Sequence, residues 1–207
     1  GDILDAINLK GALISIDSAY CYKDVVEKFV KNESDYLAAV KGNQGNLYEA
    51  VAQITEFPTD VDLGKSERGH GRIEERVCKV VNIEELKTWQ KIEYESILNQ
   101  WPKLQTIIRI ESERTETKKE IAKTEIRYYI TSKKLSAIEA NEMVRRHWAI
   151  ENGLHWVLDV VIGEDGSRKR KDASAINNSI INKLAFNFVF SYDCGKKISK
   201  KAKMMKC

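Results

Sequence analysis

The chain has 207 residues, 43% of them hydrophobic and 31% charged, and a formal net charge of +3. That is enough for one substantial core, or for one domain with an insertion, and reads as soluble and globular. The longest apolar runs fall far short of the ~20 residues a membrane helix needs, and no leader with a charged start, apolar middle and small-residue cleavage site is found, so the expected location is the cytoplasm, with no membrane partner.

GALISID (11–17) is an apolar run ending in a lone Asp. It reads as a buried strand that carries Asp17 at its C-terminal end. A helix is predicted at 21–33, with Val25, Val26, Phe29 and Val30 on one face. DYLAAVK (35–41) reads as a second buried strand, GNQG (42–45) as a turn, and NLYEAVAQITEF as the next helix. Strand, helix, strand and helix in succession make an α/β unit with parallel strands. Pro58 and Gly64 then mark a boundary. RIEERVCKVVN (72–82), LQTIIRIESER (104–114) and TEIRYYITS (124–132) are β-rich and partly alternating, with IEELKTWQKI as a short helix between the first two. Strands in a row, away from helices, point to a mostly antiparallel insertion.

Helical periodicity returns at Ser136. SAIE fits a capping box, with Ser136 as the cap and Glu139 three residues on. The predicted helix runs from 137 to 160, and a last one from 172 to 191 carries Ile176, Ile180, Leu184 and Phe188 at spacings of four. The resulting division is a first α/β part at 1–60, a β-rich insertion at 61–135, C-terminal helices of the same domain at 136–193, and a basic tail at 194–207.

Cys21, Cys78, Cys194 and Cys207 are scattered without a CxxC pair, which points to buried or idle thiols instead of a zinc ribbon or disulfide framework. Charge is distributed unevenly. From Ser167 to the end, eleven Lys/Arg face only Asp172 and Asp193, which suits either a polyanionic partner or a solvated tail.

In RRHWAIENGLHWVLDV (145–160), His147, Glu151, His155 and Asp159 fall four residues apart. On a helix of 3.6 residues per turn they form a slowly winding polar stripe beside Ile150, Leu154, Val157 and Val161. Three readings fit: a solvated amphipathic face; zinc held by His147, Glu151 and His155, without the HExxH pattern; or Glu151 as a hard-metal ligand facing Asp17, since Mg²⁺ binds through one or two carboxylates and keeps several waters.

HWAIENGLHWVLDVVIGEDGSR (147–168), ISID (14–17), LAAVKGNQGNL (37–47) and GHGRIEER (69–76) together resemble the DDE transposases of bacterial insertion sequences, in the branch of the H-repeat-associated proteins. The resemblance implies a ribonuclease-H-like catalytic fold of α/β class, interrupted by the β-rich insertion. It also implies three acidic residues that bind two Mg²⁺ (or Mn²⁺) ions and cut and join double-stranded DNA at element ends, in a homo-oligomer. Asp17 matches the second Asp and Glu151 the Glu after the insertion; these are the expected catalytic and metal-binding residues. Lys41, Arg72, Arg76, His147, Arg168 and Arg170 are the expected DNA contacts. Three positions depart from the family pattern, since Val144, His147 and Leu158 stand where relatives carry Tyr, Arg and Lys. The first Asp has no match upstream of Asp17, because Asp2 and Asp5 lie in DILDAINL, which reads as a helix or loop. The expectation is therefore an incomplete domain, the C-terminal portion of a transposase, inactive alone. The alternatives are a DNA-binding remnant without catalysis and a metal-dependent nuclease on the same fold.

Overall fold

The computed structural model describes residues 7–69, 72–116, 122–150, 153–154, 156–164, 166–168 and 171–191. Contacts divide the chain into two compact units, Gly1–Met143 and Val144–Cys207.

The first unit is built on strand β2 (Asp35–Val40), in which five of six residues are buried. A run of apolar residues without alternation suits a strand covered on both faces. Its neighbour β1 (Leu13–Ile16) runs parallel to it in the register Ile14↔Tyr36 and Ile16↔Ala38. On the other side it pairs antiparallel with β7 (Ala122–Thr131), Ala38 opposite Ile130. The remaining strands are β3 (Asp60–Asp62), β4 (Glu67–Gly69), β5 (Arg72–Asn82) and β6 (Thr106–Glu116). They complete one seven-stranded sheet in the order β1-β2-β7-β6-β5-β3, with β4 also on β5. The fold is thus mixed α/β. Segment 61–135 does not stand as a sheet of its own; its strands extend the sheet that β1 and β2 begin, and all its pairings are antiparallel.

Helices α1 (Lys23–Lys31), α2 (Asn46–Ile54) and α3 (Thr88–Leu98) contribute to one core. Val26 and Phe29, Leu47, Val51 and Ile54, and Tyr94 and Leu98 meet Tyr36, Ala38 and Val40 of β2 and Ile107 and Ile130 of the meander. The alternate positions 36, 38 and 40 share a face because side chains in a strand have a period of two. The predicted strand-helix-strand-helix order of residues 11–57 and the three long strands are present. Two short strands, β3 and β4, were not foreseen: three residues each is too short for a periodicity to register. The predicted helix at 83–92 starts as a 3₁₀ turn, Ile83–Glu85, and its α-helical part runs on to Leu98.

Helix α4 (Ala137–Ile150) begins where the capping box placed it. Ser136 Oγ and N–H both donate to the Glu139 carboxylate, at 2.7 and 2.9 Å. Tertiary contacts reinforce this start. The Ala137 N–H donates to Asp60 Oδ2 at 2.7 Å, and Asn141 Nδ2 to Asp62 Oδ2 at 2.8 Å, so β3 holds the first turns of the helix. Its α-helical part is described to Ile150, and helical structure recurs at 153–154 and 156–161, within the predicted span. Val157–Val161 is a π-helical turn closed by the Ile162 N–H on the Val157 carbonyl at 2.9 Å, and Gly163 follows at φ +79°. Crowding by Val157, Val160, Val161 and Ile162 disfavours regular α geometry there. Ile150, expected on the apolar stripe, is exposed, while Val144 and Trp148 are buried. The last helix, α5, spans Ser174–Ser191. No helix among the described residues is long and apolar enough to cross a membrane.

Two outcomes follow from the β3 region. Gly64 sits at φ +60°, and a Cβ there would lie 2.5 Å from the Arg76 carbonyl oxygen. Gly64→Ala is expected to cost about 1–3 kcal/mol, read as a lower urea midpoint. The Asn141 amide and the Gly64 N–H hold the Asp62 carboxyl below its ordinary value. Their contribution is full above the unfolded pKa near 3.9 and is lost as pH falls through the lower folded value. Asp62→Ala should therefore cost about 1–2 kcal/mol at pH 7, with the gap to wild type closing as urea titrations are repeated at progressively lower pH, through 4 and below.

Candidate functional site

Asp17 follows the last residue of β1 and begins a 3₁₀ turn, Ser18–Tyr20, at φ −74° and ψ 162°. One carboxylate oxygen accepts from the Ser18 N–H at 2.6 Å and from its hydroxyl at 3.2 Å. Aspartate suits this place because its short side chain reaches back to the first free N–H of the turn. The side chain is 49% exposed, so the carboxylate keeps a face toward solvent. Lys41 follows β2 just as Asp17 follows β1, because the two strands are parallel. Its ammonium lies 3.7 Å from Asp17 Oδ1. The carboxyl ends of adjacent parallel strands are where open α/β sheets place their binding crevices.

The turn after β2 closes on its own backbone. Residues 42–44 form a 3₁₀ turn, in which the Gln44 and Gly45 N–H groups are satisfied by the Lys41 and Gly42 carbonyls. Its side chains turn back toward the Asp17 loop. Asn43 Nδ2 and Gln44 Nε2 each donate to the Ser18 carbonyl at 2.9 Å. Sequence reasoning singled out neither residue; two amides inside a turn between a strand and a helix were the available signal. Beside this turn is a cavity of about 500 Å³, lined among others by Tyr22, Lys23, Asn43, Gln44, Leu47 and Trp101.

The other expected site residues are placed as follows. Arg76, on β5, is largely buried and its guanidinium pairs with Glu74 at 3.1 Å, the same Glu74 that Arg114 approaches at 3.3 Å. Three strands lie between it and β1, four spacings that amount to roughly 19 Å. Arg72 opens β5 opposite Glu116. His147 is half-buried on α4 and Arg168 is exposed, both in the second unit. Glu151 and Arg170 lie outside the described residues, as do His155, Asp2, Asp5 and the basic tail. Within the described residues the structure brings together Asp17 and Lys41. No group of three or more His, Cys, Asp or Glu that could hold a metal occurs among them. Asp17 by itself fits one carboxylate ligand of a hard cation, the kind of ion that takes one or two protein carboxylates and completes its shell with water and phosphate oxygens.

Comparison with known proteins decides the family. Residues 1–188 match the Transposase DDE domain. The chain belongs to the DDE transposase family. "Putative transposase YncI" of Escherichia coli O157:H7 is 36% identical over 91% of this chain and 48% of its own length. "H repeat-associated putative transposase YhhI" of Escherichia coli K12 is 35% identical over 97% of this chain and 54% of its own length. "Putative protein YbfL" of the same strain is likewise 35% identical over 97% of this chain. The chain spans about half the length of these curated relatives. No solved structure matches this transposase domain significantly.

Cys21 sits directly behind the Asp17 turn, buried, and burial pushes its thiol up to about 12; the same holds for Cys78 on β5. At pH 8 only about one thiol in 10⁴ would be the reactive thiolate. Both should stay unmodified by iodoacetamide in the folded protein and label on unfolding, as read by peptide mass spectrometry.

Proposed function

We propose that this chain is the C-terminal part of the catalytic domain of an insertion-sequence transposase, with a ribonuclease-H-like fold and with Asp17 and Glu151 as two of its three acidic metal ligands. The observation that carries the reading is Asp17 itself: a half-exposed carboxylate at the carboxyl end of a strand, beside a parallel strand whose end presents Lys41 at 3.7 Å. The substrate is double-stranded DNA at element ends and at the target, in a homo-oligomer of the complete protein. Among the described residues β1 is the outermost strand on its side of the sheet, so Asp17 lies at a sheet edge.

Two Mg²⁺ or Mn²⁺ ions, when bound, would supply activation of the attacking oxygen and stabilisation of the leaving one. The chain's own residues do the rest. Asp17 and Glu151 give the anionic ligands. Lys41 neutralises a phosphate that approaches Asp17, exchanging its carboxylate partner for a phosphate oxygen without leaving the strand end. Arg168, Arg170, His147 and Arg72 extend the contact to the DNA backbone, which gives affinity without sequence information. Arg76 has a weaker claim, since Glu74 occupies its guanidinium.

The test uses a fusion of this chain to the N-terminal half of YhhI and a DNA duplex carrying an element end. Wild type should nick and join this DNA with Mg²⁺, while Asp17→Asn and Glu151→Ala fold normally and fall to background. Nicking by either variant at the wild-type rate would sink the assignment. A DNA affinity that drops steeply with salt and ignores Mg²⁺, without nicking by wild type, would favour the non-catalytic DNA-binding reading.

A further inference from the structure

The β1–β2 ladder ends at Ile16↔Ala38, so the Asp17 turn lies beyond the last strand pairing. Side chains hold it there. The Gln44 amide uses both of its ends: Oε1 accepts from the Lys41 N–H at 2.8 Å, and Nε2 donates to the Ser18 carbonyl at 2.9 Å and, more weakly, to the Cys21 carbonyl at 3.4 Å. One side chain therefore ties the end of β2 to the turn after β1. Asn43 adds a second donor to the same Ser18 carbonyl. Ser18 is itself buried, and its N–H and hydroxyl are the groups that fix Asp17 Oδ1. The chain of contacts runs from Gln44 and Asn43, through the two backbone groups of Ser18, to the carboxylate.

We propose that Gln44 is a positioning residue for Asp17, setting the orientation of its carboxylate and its separation from Lys41 through the Ser18 peptide groups, with Asn43 as a second support. This rests on the reading of Asp17 as a metal ligand. Only a primary amide of this length can accept at one end and donate twice at the other. Glu at position 44 would keep the acceptor and set a negative charge against two carbonyl oxygens. Met would keep the volume and lose every bond.

The test uses the 207-residue chain and two readouts. The first is amide hydrogen exchange of residues 17–22, with β2 as internal control. The second is a Mn²⁺ titration followed by paramagnetic broadening of the Ser18 and Tyr20 amide signals, with Asp17→Asn to identify the ligand. Gln44→Met is expected to speed exchange in 17–22 by about tenfold, the size of one to two lost hydrogen bonds, and to leave β2 protection unchanged. It should also raise the half-saturating Mn²⁺ concentration severalfold. Asn43→Ala, which removes one donor only, should shift both readouts in the same direction by less, and serves if Gln44→Met does not fold. Unchanged exchange in both variants would overturn the clamp. Faster exchange with an unchanged Mn²⁺ titration would make Gln44 merely structural and overturn its positioning role. If Mn²⁺ produces no broadening in wild type that Asp17→Asn removes, the metal-ligand reading falls and the proposal with it, whatever the exchange shows.

Discussion

Everything in the first unit depends on β2 having a partner on each side. Its backbone is bonded to β1 in parallel and to β7 in the opposite sense, and both faces are buried. The β7 side carries an added polar stitch. Thr131 Oγ1 donates to the Tyr36 carbonyl at 2.6 Å, the Tyr36 N–H donates to Ser132 Oγ at 3.0 Å, and Ser132 Oγ donates to Asp35 Oδ1 at 2.8 Å. Buried polar groups are costly unless paired; here they satisfy one another at the junction between the α/β part and the antiparallel meander. That junction makes one sheet from two patterns of sequence.

The site is a by-product of the same arrangement. Parallel pairing forces the ends of β1 and β2 to the same edge, so Asp17 and Lys41 become neighbours although 24 positions separate their numbers in the chain. Neither charge is forced by packing, since both side chains are about half exposed or more. The sheet supplies the location, and the amides of Asn43 and Gln44 supply its rigidity. A second ion network lies elsewhere on the sheet, where Arg109 meets Glu56 and Glu111 and Lys79 bonds Glu111 at 2.7 Å. It joins α2's end to the meander and leaves the site untouched.

Much of this was legible beforehand because the signals are strong and local. An apolar run that stops at a single Asp, the 3.6-residue periodicity of α1, and the Ser136–Glu139 box each have one structural meaning. β3 and β4 were invisible, since a three-residue strand exists only because β5 offers it a partner. The π-helical geometry of Val157–Val161 was not legible, since a spacing of four suits a regular helix and a widened turn alike. The unity of the sheet was also hidden: a change from α/β to β-rich sequence looks like a boundary, and the pairing of Leu37 with Thr131 leaves no mark on either segment. Gln44 was read as part of a turn because a sequence names an amide without saying which carbonyl it faces.

The β2–β7 pairing also has a meaning in time. Ala38 waits for Ile130, and the intervening segment must be made and brought round before the second edge of β2 is closed. Long-range pairings of this kind are entropically late. A ribosome adding roughly 5–20 residues per second leaves the early α/β segment for several seconds with an open apolar strand. A transcript or nascent chain that stops short of β7 leaves that strand open for good, so partial products of this gene are substrates for proteases and chaperones before they are proteins.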